Sequence, residues 1–329
     1  MNEEIKKLNL KSEKYAEQIN KLKNEVKKVI VGQEETIEKL IIALISNGHV
    51  LLEGVPGLAK TLIIKTLSDC VDSGFVRIQF TPDLLPADIT GTKIYKHEDS
   101  SFKTVKGPIF TNFVLADEIN RAPPKVQSAL LEAMQERQVS IQGDTYKLSR
   151  PFFVLATQNP IESEGTYKLP EAQVDRFMFK LLISYPKKEG EINIMNRFTE
   201  GTSIKLSKVI SAKKIVEMQE FNQKIYADKK IKEYVADIVD ATRNPEKYNL
   251  NTVNGYIEYG VSPRASLWLI LAGKAHAMLN GRGYVIPEDI KSVCYDVLRH
   301  RILLTYEAEA EEITTDNIIE KIIEKIKVP

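Results

Sequence analysis

Residues 49–70 read HVLLEGVPGLAKTLIIKTLSDC. An apolar run enters a glycine-bearing loop, and a segment with helical apolar spacing leaves it. The loop from Gly54 to Thr61 follows the phosphate-loop pattern G-x-x-x-x-G-K-[ST], except that Ala59 stands where glycine precedes the lysine. Strand, loop and helix in that order surround an anion with backbone N–H groups and the positive end of a helix. Gly54 and Gly57 supply the backbone freedom that such a nest requires. Lys60 would reach the β and γ phosphates, and the Thr61 hydroxyl would hold Mg²⁺. Ala59 adds one methyl, which is unstrained if the residue already has helical φ and ψ. A plain strand–turn–helix with an exposed lysine is the alternative.

Composition sets the bounds. The chain has 329 residues, 43% hydrophobic and 28% charged, as in ordinary globular proteins, and is long enough for two domains. A net charge of +1 gives no whole-molecule field to attract nucleic acid or an anionic membrane. Cys70 and Cys294 lack metal-site spacing, and a reducing compartment is the simpler reading. The charged start MNEEIKKLNLKSEKYAEQINKLKNEVKKVI has no apolar signal core, and no run approaches the roughly 18 apolar residues of a membrane span. A cytoplasmic protein is expected.

Residues 1–29 read as a helical extension with one apolar face (Ile5, Leu8, Tyr15, Ile19, Leu22, Val26). Over 30–200, helical stretches alternate with short apolar strands at His49–Leu52, Val76–Phe80, Asn112–Ala116, Phe152–Ala156 and Met178–Ile183. That is the α/β pattern of a five-stranded parallel sheet covered by helices. Two segments, TGTKIYKHEDSSFKTVKGPIF and RQVSIQGDTYKLSR, read as hairpins carried on that domain. Over 201–329 only helices are expected: Ser207–Lys224, Ile231–Arg243, Pro263–Leu279, Pro287–Arg301 and Thr315–Ile326. Leu267, Trp268 and Leu271 are assigned to the buried face of one of them. The four histidines are scattered and carry no chemistry in this reading.

Three further stretches bear on the phosphate loop. NFVLADEINR is an apolar strand ending in Asp117 and Glu118, which could coordinate Mg²⁺ and activate a water respectively. FFVLATQNP ends in Thr157, Gln158 and Asn159, where a side-chain amide could hold the water or the γ-phosphate. LPEAQVDRF supplies Arg176, and GVSPRASLWLI starts a helix with Ser262 as cap, Pro263 at its first position and Arg264 just inside. Two such arginines suit the need for cations on a transferring phosphoryl group. Each piece has an ordinary structural reading as cap, turn or surface ion pair.

Together GVPGLAKT, LADEINRAPPKVQSALLEAMQE, ATQNPIESEGTYKLPEAQVDRF and GVSPRASL resemble the MoxR family of AAA+ ATPases, from about Val31 to the C-terminus. The resemblance implies an AAA+ sheet domain followed by an all-α lid, with ATP between them. Alanine before the Walker A lysine is the usual form in that family. Nucleotide contacts are implied for Gln33, at the adenine, and for Gly54, Val55, Pro56, Gly57, Leu58, Ala59, Lys60, Thr61 and Leu62. Thr61 and Asp117 would hold Mg²⁺, with Asp117 and Glu118 as Walker B. Asn159 corresponds to sensor 1, Arg176 to the arginine finger and Arg264 to sensor 2. Arg121, Arg137 and Arg150 remain alternatives for the finger. The hairpins correspond to the helix-2 and pre-sensor-1 inserts shared with magnesium-chelatase ATPase subunits and MCM helicases.

The activity so implied is ATP hydrolysis coupled to motion between core and lid in a hexameric ring. Arg176 would complete the site of the neighbouring copy. Partners would be protein clients and von Willebrand factor A domain proteins, met through the hairpins, in a chaperone role. A magnesium-chelatase-like subunit is the nearest alternative. A DNA motor is suggested by Lys93, Lys96, Lys103 and Lys106, but near-neutral charge and the lack of a recognition module argue against it. A module that senses ATP without turnover could dispense with Glu118, Asn159 and the arginines.

Overall fold

The computed structural model describes residues 3–55, 57–98, 100–159, 165–199 and 204–329. In chain order the elements are α1 (Glu3–Lys27), α2 (Glu34–Ile45), β1 (Val50–Glu53), α3 (Lys60–Cys70), β2 (Phe75–Gln79), α4 (Pro86–Thr90), β3 (Gly91–Lys96), β4 (Ser101–Lys106) and β5 (Phe113–Asp117). There follow α5 (Pro124–Glu136), β6 (Gln138–Ile141), β7 (Asp144–Lys147), β8 (Phe153–Gln158), α6 (Glu171–Val174), β9 (Phe179–Leu182) and α7 (Lys188–Thr199). The remainder comprises α8 (Ala212–Lys224), α9 (Lys229–Arg243), β10 (Ile257–Tyr259), α10 (Pro263–Leu279), α11 (Pro287–Leu298), β11 (Leu303–Leu304), α12 (Tyr306–Ala310) and α13 (Thr315–Lys325).

β2, β5, β8, β1 and β9 lie side by side in that order in one five-stranded parallel sheet. Parallel neighbours cannot be joined by tight turns, so each crossover carries helices that cover both faces. That is why Val50–Leu52, Phe113–Ala116 and Phe153–Ala156 are unbroken apolar runs and are buried throughout. The core continues into Phe80, Leu130, Leu131 and Phe177. Strand order has a direct consequence: β8 lies between β1 and β5, so the chain ends that follow these three strands emerge on one edge.

Both expected hairpins form, β3 with β4 and β6 with β7, each antiparallel. They brace one another. Lys93 Nζ lies 2.9 Å from Asp144 and donates to the Gln142 carbonyl, and the hydroxyls of Thr104 and Tyr146 are 2.9 Å apart.

The chain divides into two compact units. One holds Lys21–Phe177 and Leu181–Glu217; the other holds residues up to Asn20, Met178–Lys180 and Met218–Pro329. The second is mostly helical, as expected, but β10 and β11 add a small antiparallel ribbon. The ribbon was illegible because strands of three and two residues carry no periodicity. α10 and α11 pack through small side chains: a Cβ added at Gly273 would sit 2.6 Å from Ile290 Cδ1. Leu267 is 65% exposed and Trp268 and Leu271 are half-buried, which corrects their assignment to the buried face. Ala265, Leu269, Ala272 and Gly273 form that face instead. α10 is apolar nearly all round, so its spacing does not select a side.

Among the described residues no helix is long and apolar enough to cross a membrane.

Candidate functional site

The loop between β1 and α3 separates two cavities. One, of about 390 Å³, is mainly apolar and lined by Val29, Val31, Gln33, Leu62, Tyr185 and Met195, among others. The other, of about 530 Å³, is polar and collects Lys60, Thr61, Asp117, Glu118, Thr157 and Asn159. Gly57, Leu58, Ala59 and Leu62 face both. An apolar slot and a polar chamber sharing one loop suit a ligand with a flat base at one end and a charged chain at the other.

The loop has its own geometry. Gly57 has φ +85°, where only glycine is unstrained. At Gly54 the constraint is contact: a Cβ there would lie 2.9 Å from the Ile183 carbonyl oxygen. Ala59 has φ 54° and ψ 25°, left-handed rather than helical, which corrects the condition under which its methyl was expected to be unstrained. It occupies the N-cap position, so the chain turns there before α3 begins with Lys60. Val55 lies in the same loop, and Pro56 lies outside the described residues. Gln33 is held beside the apolar cavity, donating from Nε2 to the Ser184 carbonyl and accepting from the Thr36 hydroxyl.

Lys60 Nζ donates to the Gly54 carbonyl. Burial lowers its pKa from the ordinary lysine value, against the opposing pull of Asp117, Glu118 and Glu53. The ammonium at the start of α3 stands where a loop and a helix N-terminus can receive an anion, while the three carboxylates beside it favour a cation bound with that anion.

Asp117 closes β5. In a continuing strand Glu118 would face the opposite side, but its left-handed backbone (φ 56°, ψ 52°) breaks the alternation. Both carboxylates thereby line the polar cavity. Thr157, fully buried at the end of β8, ties the two together. Its hydroxyl donates to Asp117 Oδ1 (2.7 Å) and accepts from the Glu118 N–H (2.9 Å). Gln79 donates to Glu118 Oε2 (2.7 Å), and Arg121 does so at 3.0 Å. Arg77 donates to Asp117 Oδ2 from Nε (2.9 Å) and Nη2 (2.7 Å). Asn159 is buried beside them and lines the same cavity.

The oxygen donors fit a small hard cation. The Thr61 hydroxyl and the Asp117 carboxylate share the cavity, and Mg²⁺ commonly takes one or two protein oxygens plus phosphate oxygens. Among the described residues no group of three or more His, Cys, Asp or Glu could hold a metal without such help.

Within the sheet unit Arg176 does not line this cavity. Arg176 lines a separate groove with Ser128, Glu132 and Glu136, and its buried Nε finds no hydrogen-bond partner among the described residues. Arg264 belongs to the helical unit, where its N–H donates to the Ser262 cap. Of the alternative fingers, Arg137 is committed to the Phe152 and Asn47 carbonyls and Arg121 to Glu118. His49 is buried between Met134 O and Val154 N, and burial pushes its pKa well down.

The sequence reading missed Arg77, Gln79 and the Thr157 hydroxyl as site residues. A signal existed: Arg77 and Gln79 are polar at alternate places in an apolar strand, FVRIQF. What was lacking was the knowledge that β2 pairs with β5, which sets Gln79 opposite Asp117.

Comparisons with known proteins agree with this architecture. The profile of the ATPase family associated with various cellular activities (AAA) matches residues 49–179, and that of the AAA lid domain matches 251–322. A Mycobacterium tuberculosis protein named chaperone MoxR1 is 49% identical over 93% of this chain and 81% of its own length. The Bacillus subtilis protein YeaC, whose name assigns no function, is 44% identical over 94% and 95%. A crystal structure of a Cytophaga hutchinsonii protein described as a candidate ATPase covers all of both chains, with 50% identity and a TM-score of 0.92.

Proposed function

Because the chain belongs to the MoxR family of AAA ATPases, we propose that it binds ATP with Mg²⁺ and hydrolyses it to ADP and phosphate. The observation that best supports this is the convergence of Lys60, Thr61, Asp117, Glu118 and Asn159 on one cavity beside an apolar slot. The slot takes the base, with Gln33 at its rim, and the residues from Gly54 to Leu62 wrap the phosphates. Lys60 binds the β and γ phosphates. Mg²⁺, held on the side of Thr61 and Asp117, would neutralise charge building on the phosphate oxygens. Glu118 accepts the proton of the attacking water, and the Asn159 amide orients that water or the γ-phosphate. Arg176, free of the cavity in its own chain, is assigned to the site of a neighbouring copy, and Arg264 is assigned as a second cation for the phosphoryl group.

A chaperone role is proposed with it, since the M. tuberculosis relative carries that name. A ring of copies, hexameric in the family pattern, would use ATP-driven motion of the lid to remodel protein clients, including partners with von Willebrand factor A domains. The braced hairpins are the proposed contact surface. Phosphate release measured over a range of protein concentrations tests the assembly requirement. Specific activity should rise as copies associate and should fall when Arg176→Ala subunits are used; an Arg176→Ala protein with wild-type turnover would rule out the finger.

A further inference from the structure

β2 presents Arg77 and Gln79 on one face, with Ile78 buried on the other. Register sets Gln79 opposite Asp117 and Arg77 opposite Leu115, so Arg77 reaches along β5 to the carboxylate that ends it. Its fork closes on a single oxygen, Oδ2, through Nε and Nη2, and Nη2 also donates to Gln79 Oε1 at 2.7 Å. The other oxygen, Oδ1, accepts from Thr157. A carboxylate offers about four acceptor positions, and donors among the described residues fill three of them here. The guanidinium also places a full positive charge next to the carboxylate that the proposed metal site relies on. Two cations cannot share Oδ2 without repelling each other.

We propose that Arg77 competes with the divalent cation for Asp117 and so sets the Mg²⁺ concentration at which nucleotide is held tightly. The proposal rests on the nucleotide site proposed above. The two donors differ in how readily they can leave. Thr157 is buried and anchors both Asp117 and the Glu118 backbone, so it stays. The Arg77 side chain is 50% exposed and can exchange its contact for water. Arg77 is therefore a positioning residue: it acts on the metal through Asp117.

Binding of a fluorescent ATP analogue, titrated with Mg²⁺ and repeated in EDTA, tests this in wild type, Arg77→Gln, Arg77→Lys and Asp117→Asn. In Arg77→Gln the Mg²⁺ midpoint should fall about two- to five-fold, the range expected for releasing an exposed ion pair, while affinity in EDTA is unchanged. Arg77→Lys, which keeps the charge and loses the fork, should lie between. In an Asp117→Asn background the Arg77→Gln shift should vanish. An unchanged midpoint in Arg77→Gln overturns the proposal, and so does an equal loss of affinity with and without Mg²⁺, which would make Arg77 a direct phosphate ligand. A wild-type protein that binds no analogue at any Mg²⁺ concentration would instead overturn the nucleotide site itself.

Discussion

The hydroxyl of Thr157 donates to Oδ1 of Asp117 at 2.7 Å, and the hydroxyl oxygen accepts from the backbone N–H of Glu118 at 2.9 Å. One buried side chain thus fixes both residues that end β5. Thr157→Val keeps the shape and removes the hydroxyl. It should cost about 1–3 kcal/mol in chemical unfolding, because donor and acceptor lose their partner. Turnover should fall roughly 10- to 100-fold through misplacement of Glu118, with nucleotide affinity little changed. Thr157→Ser should restore both; if Thr157→Val matches wild type in turnover, the positioning role is wrong.

Ala59 gives a prediction of opposite sign. Left-handed backbone costs an L-residue about 1–2 kcal/mol, and glycine avoids that at an entropic cost of about 0.5–1 kcal/mol. Ala59→Gly should raise stability by up to about 1 kcal/mol and leave ATP affinity intact. A clear loss of stability would show that the methyl is held by favourable packing instead.

Lys60→Ala should abolish binding of ATP, followed by fluorescence of a nucleotide analogue, because it removes the half-buried ammonium that lines the polar cavity at the start of α3. The fold should survive, since among the described residues the Lys60 side chain hydrogen-bonds to a loop carbonyl, that of Gly54.

The sheet and the polar cavity differ in how much of each could be read from sequence. Strands such as Phe152–Ala156, against the observed Phe153–Gln158, were legible within a residue or two because burial on both faces makes them unbroken apolar runs. Lys60, Thr61, Asp117 and Glu118 were legible because each lies at the end of a strand or after it at a recognisable spacing. Arg77 and Gln79 were not, since their meaning depends on which strand lies beside β2. The left-handed backbones of Ala59 and Glu118 were equally hidden, because local composition does not announce αL at residues other than glycine and asparagine. α7 was passed over, its apolar residues being few among charges.

In the helical unit Asp289 is fully buried and bonded by Arg282 (2.7 and 2.6 Å), His276 (2.6 Å) and the Ile286 N–H. Burial alone would raise its carboxyl pKa, but the hydrogen bonds from Arg282, His276 and Ile286 outweigh it and hold the value below the usual carboxylate range. The sign follows from linkage. A depressed folded pKa contributes stability that is complete above the unfolded value of about 4 and is lost as pH falls through the folded value. Asp289→Asn should therefore destabilise at neutral pH by about 3 kcal/mol, and its stability should decline less steeply than wild type in acid. Parallel acid-side slopes in the two proteins would contradict this.

The most direct measurement is steady-state phosphate release by wild type and Glu118→Gln at concentrations where copies associate, with nucleotide binding followed in the same samples. Wild type should turn over ATP in the presence of Mg²⁺, and Glu118→Gln should bind it equally well while losing at least about 100-fold in rate. Wild-type turnover in Glu118→Gln, or no hydrolysis by wild type under any of these conditions, would contradict the assignment of this site as an ATPase centre.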